Sequence, residues 1–191
     1  SVSSIADFNE GTSDLATSAA KSALAMAKME AKDIDIIIAA TLSPDHFFPG
    51  IGVQIQDKLS ARNIPAIDIR AQCSGFSWGL ATADMYLRSG SYKTALVVGA
   101  DIHSKIIEFS DRGRDVSVLF GDGAGAAILE SEPYTTKEEK PNTRNSISGL
   151  IDHYMGSDGK GLKELYLERP GCSAGNERYI NLEKNSSLNY L

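Results

Sequence analysis

IDIIIAAT, residues 34–41, is a short and nearly continuous β-branched run without polar alternation. A strand that faces solvent on one side alternates, so a run of this kind reads as a strand buried on both faces, in a sheet covered by helices. The flanking segments fit that reading. Upstream, Thr12 to Lys32 carries Leu15, Ala19, Ala23, Met26 and Ala27 at three- and four-residue spacings, which predicts an amphipathic helix capped by Thr12 or Ser13. Downstream, SPDHFFPG reads as a loop, and Ile51, Ile55 and Leu59 recur every four residues in a second helix. PAIDIRA (65–71) is the next strand and SGFSWGLATADMYLRSG the next helix, ending at Gly90, where a left-handed residue costs little. TALVVGAD (94–101) is again a buried strand.

Alternation of buried strands and helices predicts an α/β layered fold around a mostly parallel sheet. Residues 104–115 read as a charged loop, and VSVLFGDGAGAAILE (116–130) as two strands around a glycine-rich turn. GDGAGA (121–126) lacks the Gly-Lys-Ser/Thr ending of a phosphate loop and the third glycine of a dinucleotide fingerprint. It reads as a tight turn with close strand–helix packing. Residues 131–146 are polar and predict an exposed loop, SGLIDHYMGSDG and LKELYLER a further hairpin, and the chain from Pro170 onward is weakly patterned.

Composition narrows the function classes. The 191 residues are 42% hydrophobic and 23% charged, which is enough for one domain with a sizeable core. The net charge of −6, with both signs interspersed and no basic stripe, argues against a nucleic-acid partner. No apolar run approaches the roughly 20 residues of a membrane span, and no secretory signal pattern opens the sequence. Cys73 and Cys172 are too few and too far apart for a disulfide framework, so a reduced, cytoplasmic setting is expected.

RAQCSGFSWGL (70–80) places Cys73 where an apolar strand gives way to a helix. On position alone two readings stand: a structural thiol filling space, or a nucleophile at a helix N-terminus, where unpaired N–H groups and the dipole favour a thiolate. Gly75 and Gly79 imply that this helix packs closely, because glycine inside a helix otherwise costs about 1 kcal/mol. Cys172, in PGCSAGN, has no neighbouring base or helix start and reads as a bystander. His46, His103 and His153 lack metal-ligand spacing, so no metal site is expected and each reads as structural or exposed.

From about Ser4 to Tyr166 the ordered motifs IDIIIAATLSPDHFFPG, VQIQDKL, PAIDIRAQCSGF, YLRSGSYKTALVVGADIHS, DRG, LFGDGAGAAILE and HYMGSDG resemble the first half of a β-ketoacyl-acyl carrier protein synthase III, of the thiolase superfamily. The resemblance implies one half of a thiolase-like α/β fold over 1–191, cut at both ends, with the C-terminal half absent. It implies that Cys73 accepts the acyl group, and with the motif around it the nucleophile reading prevails. It implies that Arg112, followed by Gly113, stands at the coenzyme A entrance and stacks on adenine, as a planar guanidinium can. The competing reading is a surface arginine paired with Asp111 or Asp115. It further implies that Phe48 reaches across a homodimer interface into the partner's acyl pocket, while Leu119 and Phe120 line the pocket of their own subunit. Ordinary core packing is the alternative for all three.

The family's catalytic histidine and asparagine have no counterpart in this sequence and are expected from the other half. The implied partners are acyl-CoA and malonyl-acyl carrier protein, with coenzyme A thioester as substrate and no other cofactor. A related acyltransferase or specialised-metabolite condensing enzyme on the same scaffold, and a non-catalytic dimerisation subunit, are the alternatives.

Overall fold

The computed structural model describes residues 5–131 and 149–166. They divide into two compact units, one within Ser1–Ser104 and Phe120–His153, the other within Lys105–Leu119 and Tyr154–Leu191. The predicted exposed loop at 131–146 and Cys172 lie almost wholly outside the described residues.

The first unit is a four-stranded sheet with helices on both faces. Strands β1 (Ile36–Ala40), β2 (Ala66–Ile69), β3 (Thr94–Asp101) and β4 (Gly123–Glu130) stand in the order β2-β1-β3-β4. β1 is parallel to both β2 and β3, and β4 runs antiparallel to β3. The expectation of a mostly parallel sheet therefore holds. All five residues of β1 are buried, because each face meets its own apolar layer. On one face Ile37, Ala39, Leu96, Val98 and Ala100 pack with Ala16, Ala20 and Leu24 of helix α1 (Thr12–Ala27) and Ile51 and Ile55 of α2 (Ile51–Lys58). On the other, Ile36, Ile38, Ala95 and Val97 pack with Ala83 and Leu87 of α3 (Gly75–Arg88). Full burial of each isoleucine contributes about 2–3 kcal/mol, and this two-sided burial is what the missing alternation encoded.

Several local expectations are corrected. The N-cap of α1 is Gly11, not Thr12 or Ser13. The Asp14 carboxylate accepts the Gly11 N–H at 2.8 Å, the Ser13 N–H donates to Asp45, and the Thr12 hydroxyl donates to the Ser43 carbonyl. The helix stops at Ala27 because Lys28 turns left-handed at φ 57°, five residues before the expected end. α3 closes as expected, with Gly90 at φ 74°.

GDGAGA is no turn. Gly123 to Ala126 extend along β3 inside β4, and a Cβ added at Gly123 or Gly125 would meet nothing within 4 Å, so close packing does not explain these glycines. Val116 and Ser117 belong to a short helix, α4 (Arg114–Ser117), so only one strand forms between 116 and 130. The expected hairpin after Gly149 is absent from the described residues, and His153 is not in a strand.

In the second unit, Glu108 to Gly113 lead into α4. A Cβ at Gly113 would run into the Glu108 carbonyl, so the turn admits no side chain there.

Candidate active site

Because β1, β2 and β3 run parallel, their C-terminal ends share one edge of the sheet, the usual location of sites in open α/β sheets. Cys73 lies on that edge. β2 ends at Ile69, a 3₁₀ turn spans Gln72–Ser74, and α3 begins at Gly75. Gln72 holds a left-handed φ of 49°, a conformation that costs a non-glycine residue free energy and reverses the chain sharply just before the thiol. Ser74 closes the turn, its hydroxyl donating to the Ala71 carbonyl at 2.6 Å. Among the described residues Cys73 is thereby exposed at the foot of a helix rather than buried.

A register row of small residues brings α3 this close. Ala40 and Gly99 stand side by side on β1 and β3. A Cβ on Gly75 would come within 2.9 Å of the Ala40 Cβ, and one on Gly79 within 2.8 Å of a Val97 methyl. The Phe76 ring covers Gly99, where an added Cβ would approach it to 3.2 Å. The expected close packing of Gly75 and Gly79 is thus present, and it fixes the height of Cys73 above the sheet.

Four aspartates that sequence reading passed over tie the loops along and near this edge. Asp45 accepts from Ser13 at the start of α1. Asp68 of β2 accepts the N–H groups of Ile51 and Gly52 at 2.7 and 2.8 Å. Asp101 accepts from Leu42 at 2.7 Å and from the Thr41 and Ser43 hydroxyls. Asp122 accepts the N–H groups of Ala6, His103 and Ser104 and the Ser104 hydroxyl. Burial pushes the Asp122 carboxyl up, but these four donors outweigh it and hold it below its usual range. A sequence signal was present in three of them: Asp68 is the one acid in an otherwise apolar strand, Asp101 stands at a strand end and Asp122 between two glycines.

Phe120, placed in the acyl pocket by resemblance, stacks on His103 with ring centroids 4.7 Å apart at 28°. His103 is held by the Asp122 contact to its N–H. Phe48 is 80% exposed in the loop before α2 and meets the Phe47 ring edge-on at 6.5 Å, so core packing does not account for it. The shallow hollow lined by Val53, Gln56, Asp57, Ser60, Ala61 and Asn63 lies toward the other end of α2 and holds none of the candidate residues.

Arg112, Gly113 and Leu119 belong to the second unit. Arg112 forks onto the Glu108 carboxylate, Nη2 to Oε2 at 2.5 Å, rather than onto Asp111 or Asp115. That guanidinium, with the Ser110 hydroxyl, draws the Glu108 carboxyl below its usual range. Asp111 pairs instead with Arg114 at 2.8 Å. Arg112 is exposed and Leu119 is 68% exposed, so neither is a core residue of its unit. Among the described residues no cluster of three or more His, Cys, Asp or Glu could hold a metal, and no helix is long and apolar enough to cross a membrane.

Comparison with known proteins gives a consistent result. A family model, 3-oxoacyl-[acyl-carrier-protein (ACP)] synthase III, matches residues 67–158, which include Cys73, Arg112 and Phe120. The β-ketoacyl-[acyl-carrier-protein] synthase III of Bradyrhizobium diazoefficiens is 40% identical over 179 residues, 94% of this chain and 52% of that protein. The crystal structure of the synthase III from Thermus thermophilus superposes with a TM-score of 0.73 at 34% identity, covering 89% of this chain and 47% of that one. The priming β-ketosynthase from the R1128 polyketide biosynthetic pathway superposes at 0.63 with 32% identity, over 67% of this chain and 38% of its own. The chain spans about half the length of the curated relatives it matches. In sequence and in fold it is a 3-oxoacyl-[acyl-carrier-protein] synthase III-like protein with a thiolase-like architecture.

Proposed function

We propose that the protein containing this chain is a 3-oxoacyl-acyl carrier protein synthase III of fatty acid biosynthesis, and that Cys73 carries its acyl group. The observation that supports this best is the exposed thiol on a sharp strand–turn–helix, inside the stretch that matches the family. In the first step the Cys73 thiolate attacks the acyl-CoA carbonyl. A new S–C bond forms, the bond to coenzyme A breaks, and coenzyme A leaves as the thiolate that takes up a proton. In the second, malonyl-acyl carrier protein loses carbon dioxide. Its carbanion attacks the acyl carbonyl, a C–C bond forms, and the Cys73 thiolate is released.

Arg112, beside Gly113, offers a planar cation to the adenine end of coenzyme A. Phe48, Leu119 and Phe120 bound the acyl pocket, Phe48 acting across a homodimer in the cytoplasm. A histidine and an asparagine from the rest of the protein stabilise the charge developing on the malonyl thioester, a contribution of about 10²–10³-fold per donor. The 191-residue chain alone is therefore expected to acylate weakly and not to condense.

A second reading, a condensing enzyme that primes a specialised metabolite, draws on the likeness to the R1128 priming ketosynthase. It shares the first step. The test is incubation of the full-length protein with acetyl-CoA, followed by digestion and mass mapping. An acetyl group on Cys73, lost in Cys73→Ala, is the expected result; label on Cys172 alone overturns it. Turnover with malonyl-acyl carrier protein then separates the two readings by product.

A further inference from the structure

We propose that Asp68 is a positioning residue: its carboxylate sets where the loop carrying Phe48 stands on the strand that ends at Cys73, and thereby which acyl groups are accepted by the pocket that Phe48 reaches in the partner subunit. The proposal rests on acyl transfer to Cys73 as described above. Asp68 lies on β2, five residues before Cys73, and pairs in register with Ala39 of β1. Its neighbours in the strand, Ala66, Ile67 and Ile69, are all apolar, so sheet packing alone gives no reason for an acid there. The reason lies across the gap to α2. One carboxylate oxygen takes the Ile51 N–H at 2.7 Å and the other takes the Gly52 N–H at 2.8 Å, a two-pronged grip on the first turn of the helix.

The approach is too close for side chains on the α2 side. A Cβ at Gly50 would overlap the Asp68 carboxylate, and one at Gly52 would lie 2.8 Å from Oδ1 and 3.3 Å from the Ile67 carbonyl oxygen. Phe48 precedes Gly50 by two residues. The contact therefore joins, through one side chain and two bare backbone positions, the element that presents the candidate nucleophile and the loop that presents a candidate pocket residue. A carboxylate that only held α2 in place would affect all acyl donors alike. One that sets how far Phe48 reaches into the partner's acyl pocket would affect them according to size.

The experiment uses the full-length protein and the initial rate of Cys73 acylation by acetyl-CoA and by a longer, branched acyl-CoA. Asp68→Asn keeps the shape but turns an NH₂ toward one of the two N–H groups. It is expected to shift the ratio of the two rates by about threefold or more, in the direction given by Phe48→Ala, and to add little in the Phe48→Ala background. Gly50→Ala, which pushes on the same carboxylate with Asp68 intact, is expected to reproduce the shift. It keeps the test decisive if Asp68→Asn does not fold. An unchanged ratio in the folded variants, an equal loss on both donors, or full additivity with Phe48→Ala overturns the proposal. Absence of any label on Cys73 in the unmodified protein overturns the acyl-transfer reading itself, and this one with it.

Discussion

A single carboxylate shows how this protein uses charge. Asp122 receives four hydrogen bonds from two separate stretches of chain, Ala6 and His103–Ser104. Its folded acidity is shifted down, so the stability it supplies is fully present above the ordinary aspartate value of about 3.9 and is lost as pH falls through the lower, folded value. Asp122→Asn is expected to lower stability at pH 7 by on the order of 1 kcal/mol, allowing for partial exposure of the site. The gap from the unmodified chain should close below about pH 4. Urea midpoints at pH 7, 4.5 and 3 measure this, and a gap that does not change with pH would show that the lost contribution is packing rather than charge. His103 and Phe120 stand on this anchor. A free histidine in a loop gave no hint of that in sequence, because the stack depends on two residues 17 positions apart being brought together by the Asp122 contacts.

Among the elements, α3 is the one whose placement matters most. Replacing a helical glycine by alanine ordinarily gains about 1 kcal/mol. Gly79→Ala is expected to do the reverse, costing roughly 1–3 kcal/mol, because the new methyl would stand 2.8 Å from a methyl of Val97 in the fully buried centre of β3. Ser77→Ala, on the exposed side of the same helix, should be neutral or mildly stabilising; thermal melts of the two variants decide the matter. This glycine pattern was readable from sequence because its penalty in a helix demands a reason. So were β1 and β3, whose uninterrupted aliphatic runs require two covered faces. The end of α1 was not readable, since Lys28 adopts a conformation its residue type rarely chooses. GDGAGA misled for the opposite reason: glycines suggest turns, and only pairing with β3 shows that these lie in a strand. The aspartate grips escaped because a carboxylate that binds N–H groups 16 to 116 residues away leaves no periodic trace.

At the scale of the whole molecule, β4 sets an open question about assembly. It pairs with β3 along one side, and among the described residues nothing pairs with the other. Gly123 to Leu129 carry no charge and no proline, the usual guards of a free edge. The 191-residue chain is therefore expected to associate with rising concentration. Gly125→Lys should shift it toward the monomer in sedimentation, since the site has open room for a side chain; no change would place the association elsewhere. The aspartates along the sheet's edge carry a different consequence, for how the sequence can vary. In a saturation library, Asp45, Asp68, Asp101 and Asp122 should behave like core positions and reject even glutamate, whose extra methylene moves the oxygens off their donors. Met26, though apolar, is 86% exposed and should accept polar replacements readily. Tolerance in this protein would then follow the addresses of backbone N–H groups more closely than it follows hydrophobicity, and a chain recoded for solubility by exchanging its acids at random would lose its loops while keeping its sheet.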